Sequence, residues 1–132
     1  MSPTLLAQRQ RRFETDVPPE FAAVAHVRCC ASEVLRGWRV SDLLIEDIQL
    51  VVSELVANSI EHGRGRVALR ITEATGAVTV EVTDSSPAPA TIRSAQSDSP
   101  RGRGLVIVEA LAHCWGVSED GCTTWAAFSS RS

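Results

Sequence analysis

A chain of 132 residues fits one domain, large enough to bury roughly two thirds of the surface its unfolded form exposes. It is 44% hydrophobic and 22% charged, with no apolar run near the roughly 20 residues that cross a bilayer and no secretory pattern in Met1 to Arg12, so a cytoplasmic, non-membrane protein is expected. The net charge of −3, with every positive residue an Arg and these scattered along the chain, argues against direct nucleic-acid binding, and the absence of Lys excludes the Gly-x-x-x-x-Gly-Lys-Ser/Thr phosphate loop.

After a polar, Arg-rich tail over 1–12, Phe13, Thr15 and Val17 alternate with Glu14 and Asp16, which predicts a short edge strand ended by Pro18-Pro19. Phe21, Val24, Ala25, Arg28, Ala31, Val34, Leu35 and Trp38 then recur at helical spacing, with Gly37 as the expected terminator. His26, Cys29 and Cys30 share part of that helix's face. Zinc ligands usually come in pairs from a knuckle or hairpin, so a metal site there is not favoured, and the four cysteines are expected to be reduced and largely buried.

Ser41 or Asp42 can cap a second helix that runs to about Ile60 and ends at Gly63 and Gly65. Its last turns place Glu54, Asn58 and His62 four residues apart, a polar stripe beside the apolar stripe of Leu44, Ile48, Val51, Val52 and Leu55. Such a stripe is either the solvated edge of an amphipathic helix or a working site. In the second case the carboxylate can accept a proton from an attacking hydroxyl, and the carboxamide oxygen can ligate magnesium.

Val67, Leu69 and Ile71 alternate with polar neighbours, Gly76 marks a turn, and Val78, Val80 and Val82 alternate again, so two antiparallel strands are expected. Asp84 continues the inward register of Val78, Val80 and Val82. Its carboxylate either receives a donor such as the exocyclic amino group of adenine or opens the turn Asp84-Ser85-Ser86-Pro87.

From Ser85 to Pro100 the chain is rich in breakers and poor in apolar residues, which predicts a functional lid or a disordered segment. Arg101-Gly102-Arg103-Gly104 then leads into a helix beginning near Leu105, and glycines before a helix start expose amides suited to phosphate. A closing hairpin follows, Cys114 to Val117 and Cys122 to Phe128 around Glu119-Asp120-Gly121, in which Cys114 and Cys122 can face each other.

Glu54-x-x-x-Asn58, Asp84, a long loop, Gly102-Arg103-Gly104-Leu105 and a closing hairpin, in this order, resemble the ATP-binding domain shared by histidine kinases, gyrase, Hsp90 and MutL. Within that family the chain is most similar to the bacterial anti-sigma-factor serine/threonine kinases and their small stand-alone relatives, over about residues 13–128 with 85–101 as the ATP lid. The resemblance implies a two-layer α/β sandwich with a mixed, mostly antiparallel sheet and helices on one face. It also implies roles: Glu54 as general base, Asn58 as magnesium ligand, Asp84 as the adenine residue, Gly102 and Gly104 as phosphate-cradling glycines with Leu105 beside them, and Thr123 near the nucleotide. Arg101 and Arg103 can add phosphate contacts. His62 and Gly63 match a common ending of the asparagine box, with no chemical role attached to His62. Many relatives follow the adenine Asp with Gly-x-Gly, where this chain has Ser85-Ser86-Pro87.

The expected activity is therefore Mg-ATP binding with transfer of the γ-phosphoryl to a Ser or Thr of a partner protein, such as an anti-sigma-factor antagonist. The alternative is an ATP-binding module that clamps a sigma factor without transfer. The edge strand near Phe13 is also compatible with a homodimer.

Overall fold

The computed structural model describes residues 10–62, 65–85 and 100–129, with the backbone alone for 100–104. In chain order these form strand β1 (Arg11–Val17), helices α1 (Ala22–Gly37) and α2 (Asp42–His62), strands β2 (Val67–Ala74) and β3 (Ala77–Asp84), helix α3 (Pro100–Leu111), and strands β4 (Cys114–Val117) and β5 (Thr123–Ser129). β1 thus begins inside the segment expected to be a tail. Most of the expected lid, 86–99, and Gly63 lie outside the described residues.

The strands make one sheet in the order β1-β2-β3-β5-β4. All four pairings are antiparallel, so the parallel component expected of a mixed sheet is absent among the described residues. β1 returns antiparallel to β2 through α1 and α2, β2–β3 and β4–β5 are hairpins, and the link through α3 carries the chain from β3 past β5 to β4, which runs in the same direction as β3. Alternation does the sorting: Val67, Leu69 and Ile71 of β2, Val78, Val80 and Val82 of β3, and Ala126 and Phe128 of β5 are all buried beneath the helices. Against them α2 buries Ile45, Ile48, Val51, Val52, Leu55 and Val56, and α1 buries Val27, Ala31 and Leu35. α2 is the middle helix, packed on both α1 and α3.

The ends of α1 and α2 divide between agreement and difference. Of the two expected caps of α2, Ser41 serves, its Oγ accepting from the Leu44 N–H at 3.3 Å. α1, however, does not stop because of Gly37. The Val40 N–H reaches back to the Leu35 carbonyl at 3.1 Å and the Arg39 N–H to the Arg36 carbonyl at 3.0 Å, the paired bonds of a Schellman ending, with Arg39 in the left-handed position at φ 65°. The buried stripe of α1 is shifted too. Phe21 lies before the helix and is 60% exposed, so it does not join the core.

The β2–β3 turn carries a local strain. Thr75 at φ 49° and Gly76 at φ 83° are the two central residues of a two-residue hairpin, and a β-branched side chain suits the first position badly. Thr75→Asn is expected to stabilise the fold by about 1 kcal/mol, read as a melting temperature a few degrees higher. A melting temperature that stays level or falls contradicts the strain.

The cysteines correct two expectations. None of the four forms a disulfide, but Cys29 and Cys114 are exposed and Cys30 and Cys122 only half-buried, because they sit on the solvent flank of α1, on the edge strand β4 and in a turn. Cys114 pairs with Ala127 across β4–β5, which places Cys122 beyond the end of β4 rather than opposite Cys114. Cys30 Sγ lies 3.6 Å from His26 Nε2. No group of three metal-ligating side chains forms among the described residues, and none of their helices is long and apolar enough to cross a membrane.

Candidate functional site

The site is built at one end of the sheet, where three segments distant in sequence come together. The first is the C-terminal half of α2. At 100° per residue its buried face centres on Ile48, Val52, Leu55 and Ser59, while Ser53 turns to one flank and Asn58 to the other. The Ser53 flank belongs to α1, since Arg28 Nη1 donates to Ser53 Oγ at 3.4 Å while that hydroxyl donates to the Gln49 carbonyl at 2.9 Å. The opposite flank, carrying Asn58 and His62, therefore turns toward α3. Glu54, Asn58 and His62 are all half-buried, neither core nor free surface.

The second segment is the end of β3. Asp84 pairs with Val67, the first residue of β2, so it stands just beyond the last turn of α2. The inward register read from the sequence holds: Asp84 is only 4% exposed, and its Oδ2 atom is shielded from solvent, as is Nε2 of His62. The loop leaving α2 crosses close by, because a β-carbon built on Gly65 (φ 77°) would stand 3.6 Å from Ser85 Oγ.

The third segment is the start of α3. Leu44 from the first turn of α2 and Leu111 from the end of α3 line one small cavity of about 250 Å³ with Phe128, so the two helices run antiparallel from that point. The 12 residues of α3 span about 18 Å, which brings its first turn level with Leu55 to Asn58. Here expectation is corrected: α3 begins at Pro100, so Arg101, Gly102, Arg103 and Gly104 lie inside its first turns rather than before them. The physical reason is that proline suits the first helical position, where its missing N–H costs no bond, and this outweighs the roughly 1 kcal/mol disfavour of each glycine. The backbone N–H groups of Arg101 and Gly102 remain among those with no partner inside the helix. Leu105 is half-buried one residue further on.

Thr123 is placed away from this cluster. It pairs with Thr83 on the sheet face that the helices leave open, the two hydroxyls 2.8 Å apart. Thr124, opposite Val82 and 8% exposed, is the threonine that shares the covered face with Asp84. Sequence reading missed it, although counting alternate residues back from the inward Phe128 and Ala126 reaches 124.

The open face also holds a depression of about 480 Å³ lined by Glu14, Asp16, Arg70, Glu81 and Thr83. Among the described residues its single cation is engaged by acids on both sides, Arg70 lying 2.6 Å from Glu81 and 3.6 Å from Glu14. The helix-covered end combines a buried carboxylate, a carboxamide with a carboxylate one turn away, and a helix start rich in glycine. That donor set fits a purine, a hard cation and phosphate oxygens together.

The fold defines an α+β domain, and the family it matches makes that domain one of the ATP-binding class. The chain belongs to the histidine kinase-like ATPase domain family, whose model matches residues 17–128. Among solved structures it is similar to the RsbU and RsbW domains of Rv1364c from Mycobacterium tuberculosis, with a TM-score of 0.68 and 22% identity over 89% of this chain. It spans 31% of the length of that solved chain, and at this identity the likeness speaks for the fold alone. No curated protein matches the chain.

Proposed function

We propose that this domain binds Mg-ATP and transfers the γ-phosphoryl to a Ser or Thr of a partner protein, in the manner of an anti-sigma-factor kinase, with a sigma factor or its regulators as partners. The observation that carries the reading is the convergence of the Asn58 flank of α2, the buried Asp84 and the first turn of α3 at one end of the sheet. Bound there, Mg-ATP supplies an activated phosphoryl group whose charge the metal helps to neutralise.

The chain's own residues do the rest. The Asp84 carboxylate accepts the hydrogen bond of the adenine amino group, and burial strengthens that bond by excluding water. The Asn58 carboxamide oxygen holds the magnesium ion, as its hardness suits. Amides of Arg101 and Gly102 donate to phosphate oxygens at the positive end of α3. Glu54, one turn before Asn58, takes the proton of the attacking hydroxyl. Arg103 and Arg101 add positive charge to the same helix end.

The experiment is incubation with γ-labelled ATP, magnesium and candidate regulatory proteins. Label on a serine or threonine of a second protein supports the reading. Saturable ATP binding with no label transferred favours the nucleotide-sensitive clamp.

A further inference from the structure

We propose that the solvent side of the helix layer is a docking ridge for a protein segment that combines apolar side chains with arginine or lysine. Four large hydrophobic side chains are well exposed among the described residues, and three of them lie on this side: Leu43 (79%) and Leu50 (49%) on α2, and Val106 (65%) on α3. Leu43 and Leu50 are seven residues apart, two turns along one line, on the side of α2 opposite its buried stripe. Val106 is two residues from the fully buried Val108, which turns it away from the sheet in the same direction. α2 and α3 are packed neighbours, so the three side chains share one surface. Isolated exposed leucines are ordinary, but an aligned pair joined by a valine on the adjoining helix is the pattern of a contact surface.

The charge of α2 selects the occupant. Its 21 residues include Asp42, Glu46, Asp47, Glu54 and Glu61 and no Arg or Lys, so the charged side chains that α2 itself sets beside the leucines are acids, while the neighbouring Arg28 of α1 is engaged with Ser53. A basic, apolar-faced helix complements both features, and an anionic membrane is repelled. The ridge runs along α2 toward Glu54, the proposed base. A segment seated on Leu43 and Leu50 therefore lies beside the site, where its own chain can present a hydroxyl. The proposal rests on the function above only in making the occupant the phosphoryl acceptor, and its docking is tested without nucleotide so that either can fail alone.

The probe is a synthetic amphipathic peptide with leucines on one helical face flanked by arginines, compared with the same peptide carrying glutamates for the arginines. Amide shift changes should concentrate on residues 43–54 and 105–109. The double variant Leu43→Ala/Leu50→Ala should weaken binding roughly tenfold or more. Glu46→Arg should weaken it as well, and the glutamate peptide should not bind. All three positions are exposed, so the variants should melt with the parent. The proposal is overturned by absence of binding, by affinity indifferent to the leucines, or by shift changes gathered around Glu14, Asp16 and Glu81 on the open sheet face. It is equally overturned if sedimentation shows a dimer that Leu50→Arg dissociates, which makes a second copy the occupant.

Discussion

Replacing Glu54 with Gln is expected to slow phosphoryl transfer by roughly 10²- to 10⁴-fold, the range a positioned general base supplies, while ATP affinity stays close to that of the parent. The substitution keeps the shape of a half-buried side chain and removes only its capacity to take a proton. Single-turnover transfer of label and calorimetric titration with Mg-ATP separate the two quantities. Transfer that survives the substitution removes Glu54 from the chemistry. Loss of binding and transfer together makes it a structural residue of the α2 edge instead.

Asp84→Asn acts on the other half of the site. Replacing the buried carboxylate by a carboxamide weakens its hydrogen bond to the adenine amino group, and ATP affinity is expected to fall roughly 10- to 100-fold. Because a buried position is altered, a second ligand guards against a folding artefact. The parent should discriminate by a similar factor against a triphosphate whose purine lacks the 6-amino group, and the variant should lose that discrimination. Titration calorimetry with both ligands on both proteins completes the cycle. Equal affinities of parent and variant for ATP place Asp84 outside the pocket.

These expectations rest on features that differ in how readable they were. The β2–β3 hairpin and the inward facing of Asp84 were legible because Val78, Val80 and Val82 alternate without a break up to the strand's end and Gly76 marks the reversal. The cap of α2 was narrowed by residue type to Ser41 or Asp42, of which Ser41 serves, and the common flank of Asn58 and His62 followed from helical spacing. Other features were hidden by misleading local signals. Gly37 is a conventional helix stop, yet the left-handed turn falls two residues later on Arg39, where the tertiary return of Val40 to Leu35 overrides propensity. The glycines at 102 and 104 read as pre-helical because glycine is a poor helix former, and Pro100 at the first position reverses that reading. Thr123 and Thr124 are chemically identical neighbours, so only the strand register tells which one faces the helices. The exposure of Cys29 and Cys114 was concealed for a similar reason: apolar character says little about side when a helix or edge strand has one open flank.

What the fold adds to the sequence is direction. Glu54 and Asn58 turn from a stripe on an isolated helix into the flank facing α3, and the antiparallel run of α2 and α3 from Leu44 and Leu111 sets the depth at which the helix start meets them. The sheet supplies the third side by ending β3 at Asp84 against the first residue of β2.

The most direct measurement is an amide shift map recorded while Mg-ATP is titrated into the intact chain. The account predicts saturable changes gathered at residues 54–62, 83–85 and 100–105, three separate stretches responding to one ligand. Changes gathered instead around Glu14, Arg70 and Glu81 on the open face, or none at millimolar ATP, would contradict it.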